Sequence, residues 1–159
     1  MSNTQQKTPT REFFAVCAVQ YIRMQFTQFF LLYIISVPII VILDYVWLGI
    51  LMRDFFKLRL AHLLGEMNWL AVGVFYLIFV VGLTFFATYP TALRGTLLSG
   101  LILGGLFGFF TYATYDLTNL ATLRNWPVSV VLVDIMWGTF LGAAVTVCSV
   151  VIYNYLSGF

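Results

Sequence analysis

Three aspartates stand where an apolar chain can least accommodate them. Asp44 lies in LDYVWLG (Leu43–Gly49), Asp134 in VDIMWGT (Val133–Thr139), and Asp116 in the polar string TYDLTNLATLRNWP, which ends at Pro127. Ionisable groups inside a membrane span are costly and mark functional sites by default. Carboxylates can do acid–base chemistry, relay protons with a tyrosine such as Tyr112 or Tyr115, or hold a polar ligand. Three of them at one depth in a dry pocket cannot all stay ionised, so a cation or bound protons must compensate. Arg124 is the best-placed cation, because a guanidinium can pair with a carboxylate bidentately. The candidate ligand-binding residues are therefore Asp44, Tyr112, Asp116, Asn119, Arg124 and Asp134, and no catalytic assignment follows from them.

Other chemistries find little footing. His62 and Glu66 sit four apart, as metal ligands on a helix can. With a single histidine and no cysteine nearby, the polar face of a helix accounts for them better, and no metal site is expected. Ser99 and Ser129 lack a nucleophile-elbow pattern, and no lysine accompanies the glycines near Gly104 as a phosphate loop requires. Cys17 and Cys148 have no redox or metal spacing and read as small buried hydrophobes. No motif indicates a cofactor.

The elements that must position these residues follow from composition. Of 159 residues, 62% are hydrophobic and 9% charged, against about 25% charged in soluble domains. Such a chain belongs in a bilayer. A net charge of +2 gives no case for nucleic acid. A span needs about 20 mainly apolar residues, and four segments qualify: Phe29–Met52, Trp69–Tyr89, Leu93–Tyr115 and Val128–Leu156. The fold expected is all-α, a four-helix transmembrane bundle with an N-terminal interfacial helix and a short interfacial helix between spans one and two. Residues 1–28 form a polar leader and interfacial helix, started by Thr8 and Pro9, and residues 29–159 the membrane domain. A continuous upstream extension of span one competes with the first of these helices. Between spans one and two, Phe56, Leu60, Leu63, Leu64 and Met67 recur at helical spacing, with Arg59, His62 and Glu66 on another face. Pro90 forces a break between spans two and three, and Asp116–Asn119 reads as a turn ending span three.

Alternation of four spans gathers the polar residues at one end of the bundle. If span one starts on side A, it ends on side B, where span two starts, span three ends and span four begins. Asp44 then lies about 12 Å from side B and Asp134 about 9 Å, at 1.5 Å per residue. Gly100, Gly104, Gly108, Tyr112 and Asp116 form one stripe of span three, and Gly138 and Gly142 follow Asp134 on span four. Small-residue stripes let helices approach closely, which predicts that spans three and four pack together with Asp116 and Asp134 facing inward. Side A offers glycine, valine and phenylalanine, which argues against a channel.

The strings LDYVWLG, TYDLTNLATLRNWP and VDIMWGT, with HLLGEMNWL (His62–Leu70), resemble an uncharacterised family of small bacterial integral membrane proteins defined as a domain of unknown function. The resemblance runs from about Leu31 to the C-terminus and implies four spans without implying an activity. The first thirty residues look longer than the family's usual start, which implies a special partner for them.

Arg53, Lys57, Arg59 and Arg124 fall on side B against Arg23 and Arg94 close in on side A, with Lys7 and Arg11 further out, a bias that favours side B in the cytoplasm or matrix. A bacterial or organelle inner membrane is the expected location. The leading functional expectation is a polar pocket open to one leaflet that binds or handles a small amphipathic molecule or lipid. A non-catalytic accessory subunit of a larger membrane complex, held through residues 1–28, is the second expectation, since a polar terminus orders only when something holds it. A carboxylate-dependent lipid-modifying enzyme is the third.

Overall fold

Most of the chain is helix, wound through four passes. The computed structural model describes residues 11–158, with side chains from Gln20 onward. Among them the elements run α1 (Arg11–Asp44), a π-helical segment (Tyr45–Leu51), α2 (Arg53–Leu60), α3 (Trp69–Leu83), a second π segment (Thr84–Thr88), α4 (Tyr89–Arg94), α5 (Leu97–Thr122) and α6 (Val128–Ser157). Gln20–Leu51, Trp69–Arg94, Leu97–Thr122 and Val128–Ser157 are each long and apolar enough to cross a membrane. Their outward faces carry large apolar side chains, such as Ile42, Ile78, Phe110 and Met136, which suit contact with lipid.

Helix α1 runs unbroken from Arg11 into span one. The continuous extension thus replaces a separate N-terminal interfacial helix, while the expected start at Thr8 and Pro9 lies outside the described residues. The helix between spans one and two is present but stops at Leu60. Leu63, Leu64 and Met67 therefore leave the expected helical face, and His62 and Glu66 lie exposed in the following turns. Arg59 nevertheless ties α2 to the start of α6, its Nε donating to Ser129 Oγ at 3.0 Å, while its guanidinium covers the Phe55 ring at 3.9 Å.

Pro90 does not end span two. The turn before it is widened, so Tyr89 N–H donates to Thr84 O, five residues back. A proline ring normally clashes with the carbonyl four residues earlier, and the wider π turn relieves that conflict. The break falls instead at Gly95–Thr96. There Thr96 Oγ1 accepts from Ser99 N at 3.1 Å and Ser99 Oγ accepts from Thr96 N at 2.8 Å, a reciprocal cap that starts α5. Span two itself starts under Asn68, whose Oδ1 accepts from Ala71 N at 3.1 Å.

Helix α5 also runs further than expected, taking in Asp116 and Asn119. The polar string stays helical because its hydroxyls bond the helix itself. Thr114 Oγ1 donates to Phe110 O at 2.6 Å, Thr118 Oγ1 to Thr114 O at 2.6 Å and Thr122 Oγ1 to Thr118 O at 2.7 Å. A threonine satisfied in this way presents its methyl to the surroundings, so the string is less polar than its letters suggest.

Helices α5 and α6 pack along their length. A methyl on Gly108 would overlap the Gly138 carbonyl, one on Gly104 the Gly142 carbonyl, and one on Gly138 the Tyr112 ring. The two backbones touch, as the glycine stripes predict. Beside this seam lies a core of Ile40, Phe79, Val80, Leu83, Ala87, Leu141 and Val145, with Trp137 at its side-B end.

Candidate functional site

The side-B ends of the spans carry two distinct polar arrangements. The first is centred on Asp44, which is 3% exposed. Its Oδ1 accepts from Trp137 Nε1 at 2.9 Å and its Oδ2 accepts from Tyr76 OH at 3.1 Å. One carboxylate thereby joins α1, α3 and α6. The π segment that follows brings Trp47 onto Trp137, with ring centroids 4.3 Å apart and planes within 1°. Both oxygens of Asp44 are thus engaged in holding the bundle.

The second arrangement is centred on Asp116. This residue is 0% exposed, yet neither of its oxygens has a hydrogen-bond partner among the described residues. Buried polar atoms are nearly always paired, and an exception demands an explanation. Trp126 and Asp134 stand close enough to Asp116 to interact with it, but without hydrogen-bond geometry, and Trp126 Nε1 is itself buried and unpartnered. Asp134 is half-buried and within electrostatic reach of both Asp116 and Asp44. Tyr112 is half-buried and lies within reach of all three acids. Tyr115 and Trp126 meet edge to face, with centroids 6.1 Å apart.

The turn after α5 explains these positions. Asn125 takes φ 59°, a left-handed conformation that asparagine tolerates better than most residues. The chain reverses there, turning Trp126 inward and leaving Arg124 exposed. Among the described residues Arg124 pairs with neither Asp116 nor Asp134. The expected Arg124 ion pair is not formed, because the reversal that brings Trp126 to the acids carries the arginine away. Asn119 is half-buried, one turn beyond Tyr115 on α5. The structure therefore brings together Tyr112, Asp116 and Asp134, gives Asp44 fixed partners of its own, and leaves Arg124 outside.

Trp137, Tyr76 and Trp126 were missed as site residues. Trp137 lies three residues after Asp134, and Trp126 is the only aromatic residue of the turn, but nothing in their spacing shows that the first donates to Asp44 or that the second is turned toward Asp116.

Residues 29–151 match the family model described as Predicted membrane protein (DUF2177). The chain belongs to this family. No curated protein and no solved structure matches it. The matched region of this DUF2177 protein contains all three aspartates, Trp126 and the glycine seam, whereas α1 begins 18 residues before it.

A second polar layer lies in the side-A half of the DUF2177 bundle. Ser36, Thr84, Thr88, Thr146 and Ser149 are 0% exposed, and Thr91 3%. Ser36 and Ser149 hydroxyls bond at 2.8 Å, and Thr88 Oγ1 donates to Thr146 Oγ1 at 3.5 Å. The expectation that polarity stops short of side A is therefore corrected. Thr84, Thr88 and Thr91 recur at helical spacing on span two, a stripe visible in the sequence, but its partners on spans one and four are met only once the spans are packed. Cys148 likewise departs from expectation: it is exposed and, among the described residues, unpaired, on the outward face of α6. Cys17 lies outside the residues with described side chains. An open apolar groove of ≈ 640 Å³, walled by Phe86, Phe107 and Phe110, lies on the face of α5 away from the acids.

Proposed function

We propose that the Asp116 region is a binding site for a small amphipathic molecule or lipid, entered from the half of the bilayer at side B. The observation that carries this reading is the fully buried Asp116 carboxylate with both oxygens unpartnered among the described residues. A carboxylate serving only to lock the bundle would be expected to look like Asp44, with a donor on each oxygen. An unpaired one lowers stability and is better explained by a partner that comes and goes. Tyr112, Asp134 and Trp126 would form the rest of the site, and Asp44 would hold its wall in place. An enzyme using Asp44 as one of a carboxylate pair gains no support, since Tyr76 and Trp137 already occupy that side chain.

The test is lipid retention. Wild type and a variant carrying Asp116→Asn and Asp134→Asn are purified in mild detergent, and bound amphiphiles are extracted and quantified by mass spectrometry. Wild type should hold a defined species at fixed ratio and the variant should lose it, with helical content and elution volume unchanged. Equal retention by the two would refute the site.

The accessory-subunit reading keeps one motive. Helix α1 continues upstream of the family match and carries exposed Tyr21, Ile22, Met24 and Phe26. Co-purification of a second protein at fixed stoichiometry, lost when residues 1–28 are removed, would support it.

A further inference from the structure

We infer that the ligand of this site carries a primary ammonium group, as in the head group of an aminophospholipid; this rests on the binding reading above and adds its chemistry. Asp116 and Asp134 interact with one another, and among the described residues no lysine or arginine pairs with either. Like charges brought together out of water must share a proton or gain a positive partner. Arg124, the partner expected from the sequence, is exposed. A positive partner for the pair, where one is bound, must then come from the ligand.

The donors and acceptors narrow its type. Two unpartnered oxygens on Asp116, with the Asp134 carboxyl beside them, present acceptors only. An ammonium group offers three N–H donors and no acceptor, which matches that set. A divalent metal ion fits less well, because calcium takes six to eight oxygen ligands and, with Asp44 occupied, two carboxylates remain. A quaternary ammonium could lie against Tyr115 and Trp126 through cation–π attraction, but it has no N–H to give to the Asp116 oxygens. The buried Trp126 Nε1 has no partner among the described residues, and an oxygen close to the ammonium, such as a head-group phosphate oxygen, would accept from it. The rest of such a ligand is apolar, which suits a site within a membrane span.

The full-length protein in detergent is incubated with equimolar phosphatidylethanolamine, phosphatidylcholine and phosphatidylglycerol of identical acyl chains, and bound lipid is counted by native mass spectrometry. Phosphatidylethanolamine should be retained about tenfold or more over each of the others, a charge-assisted hydrogen bond being worth at least that factor. Asp116→Asn should remove the preference, and Asp54→Asn, on exposed α2, should keep it. Because the comparison among lipids is made on wild type, it stands even where a variant folds poorly, and Asp134→Asn provides a second variant. Equal retention of the three lipids, or of the two ammonium lipids, overturns the primary-ammonium inference and leaves the binding site standing. Retention of none, or a preference untouched by both aspartate variants, overturns the site as well.

Discussion

Two neighbouring glycines of α5 should respond in opposite ways to the same substitution. Alanine at either position brings the same gain in helix propensity, about 1 kcal/mol over glycine, so the difference between the variants isolates packing. At Gly105 the new methyl would meet Thr139 Cγ2 and O at 3.7 Å and Ala143 Cβ at 3.8 Å, which is ordinary contact. At Gly108 it would overlap the Gly138 carbonyl, which is backbone and cannot rotate aside. The helices must separate, and the Gly104–Gly142 contact one turn away loosens with them. Overpacking costs typically 1–3 kcal/mol, so Gly108→Ala should be less stable than Gly105→Ala by about that amount. Unfolding in mixed micelles with increasing denaturing detergent, followed by circular dichroism, measures the difference. Indistinguishable midpoints, or Gly105→Ala as the weaker variant, would refute the backbone-to-backbone seam.

Three further outcomes follow from named contacts. Asp44→Ala removes two interhelical hydrogen bonds, each worth about 0.6–1.7 kcal/mol in a membrane; it should cost about 1–3 kcal/mol by the same unfolding assay, and Trp137→Phe about half as much. In protein stripped of bound amphiphile, Asp116→Asn should leave stability unchanged or raise it by about 1 kcal/mol, because it takes away a buried charge without partners; a loss as large as that of Asp44→Ala would show that Asp116 is bonded within the protein. Thr96→Ala, which removes the cap of α5, should cost about 1 kcal/mol, read as a lowered melting midpoint, and Thr96→Ser should restore it.

The four spans were legible because apolar runs of span length are long and the connections between them polar. The glycine seam was legible because four-residue spacing on two segments has few other uses. The convergence of Asp116 and Asp134 followed from counting passes. Span ends were not legible where side chains change the meaning of a residue type. The threonines of the polar string look like loop residues until their hydroxyls are seen bonded to helix carbonyls, and Pro90 looks like a stop until the widened turn before it is seen. Arg124 was misplaced for a different reason. Its distance from the acids along the chain suits a pair, but a single left-handed residue, Asn125, decides which of its neighbours turns inward.

The widened turn at Thr84–Thr88 has a bearing on how this segment tolerates length changes. A π turn holds one residue more than the winding around it, and each residue of an α-helix advances the next by about 100°. Thr91, with its side chain against Gly100, faces the interior only because that extra residue has been absorbed upstream. Shortening the span by one residue there would rewind the turn as plain α-helix and leave Thr91 facing inward, whereas removing one residue from the regular helix beyond the turn would swing the residues after it by about 100°. Trp69 to Leu83, upstream of the change, would keep their facing. Span two thus holds one turn that can lose a residue without changing which side chains face the bundle.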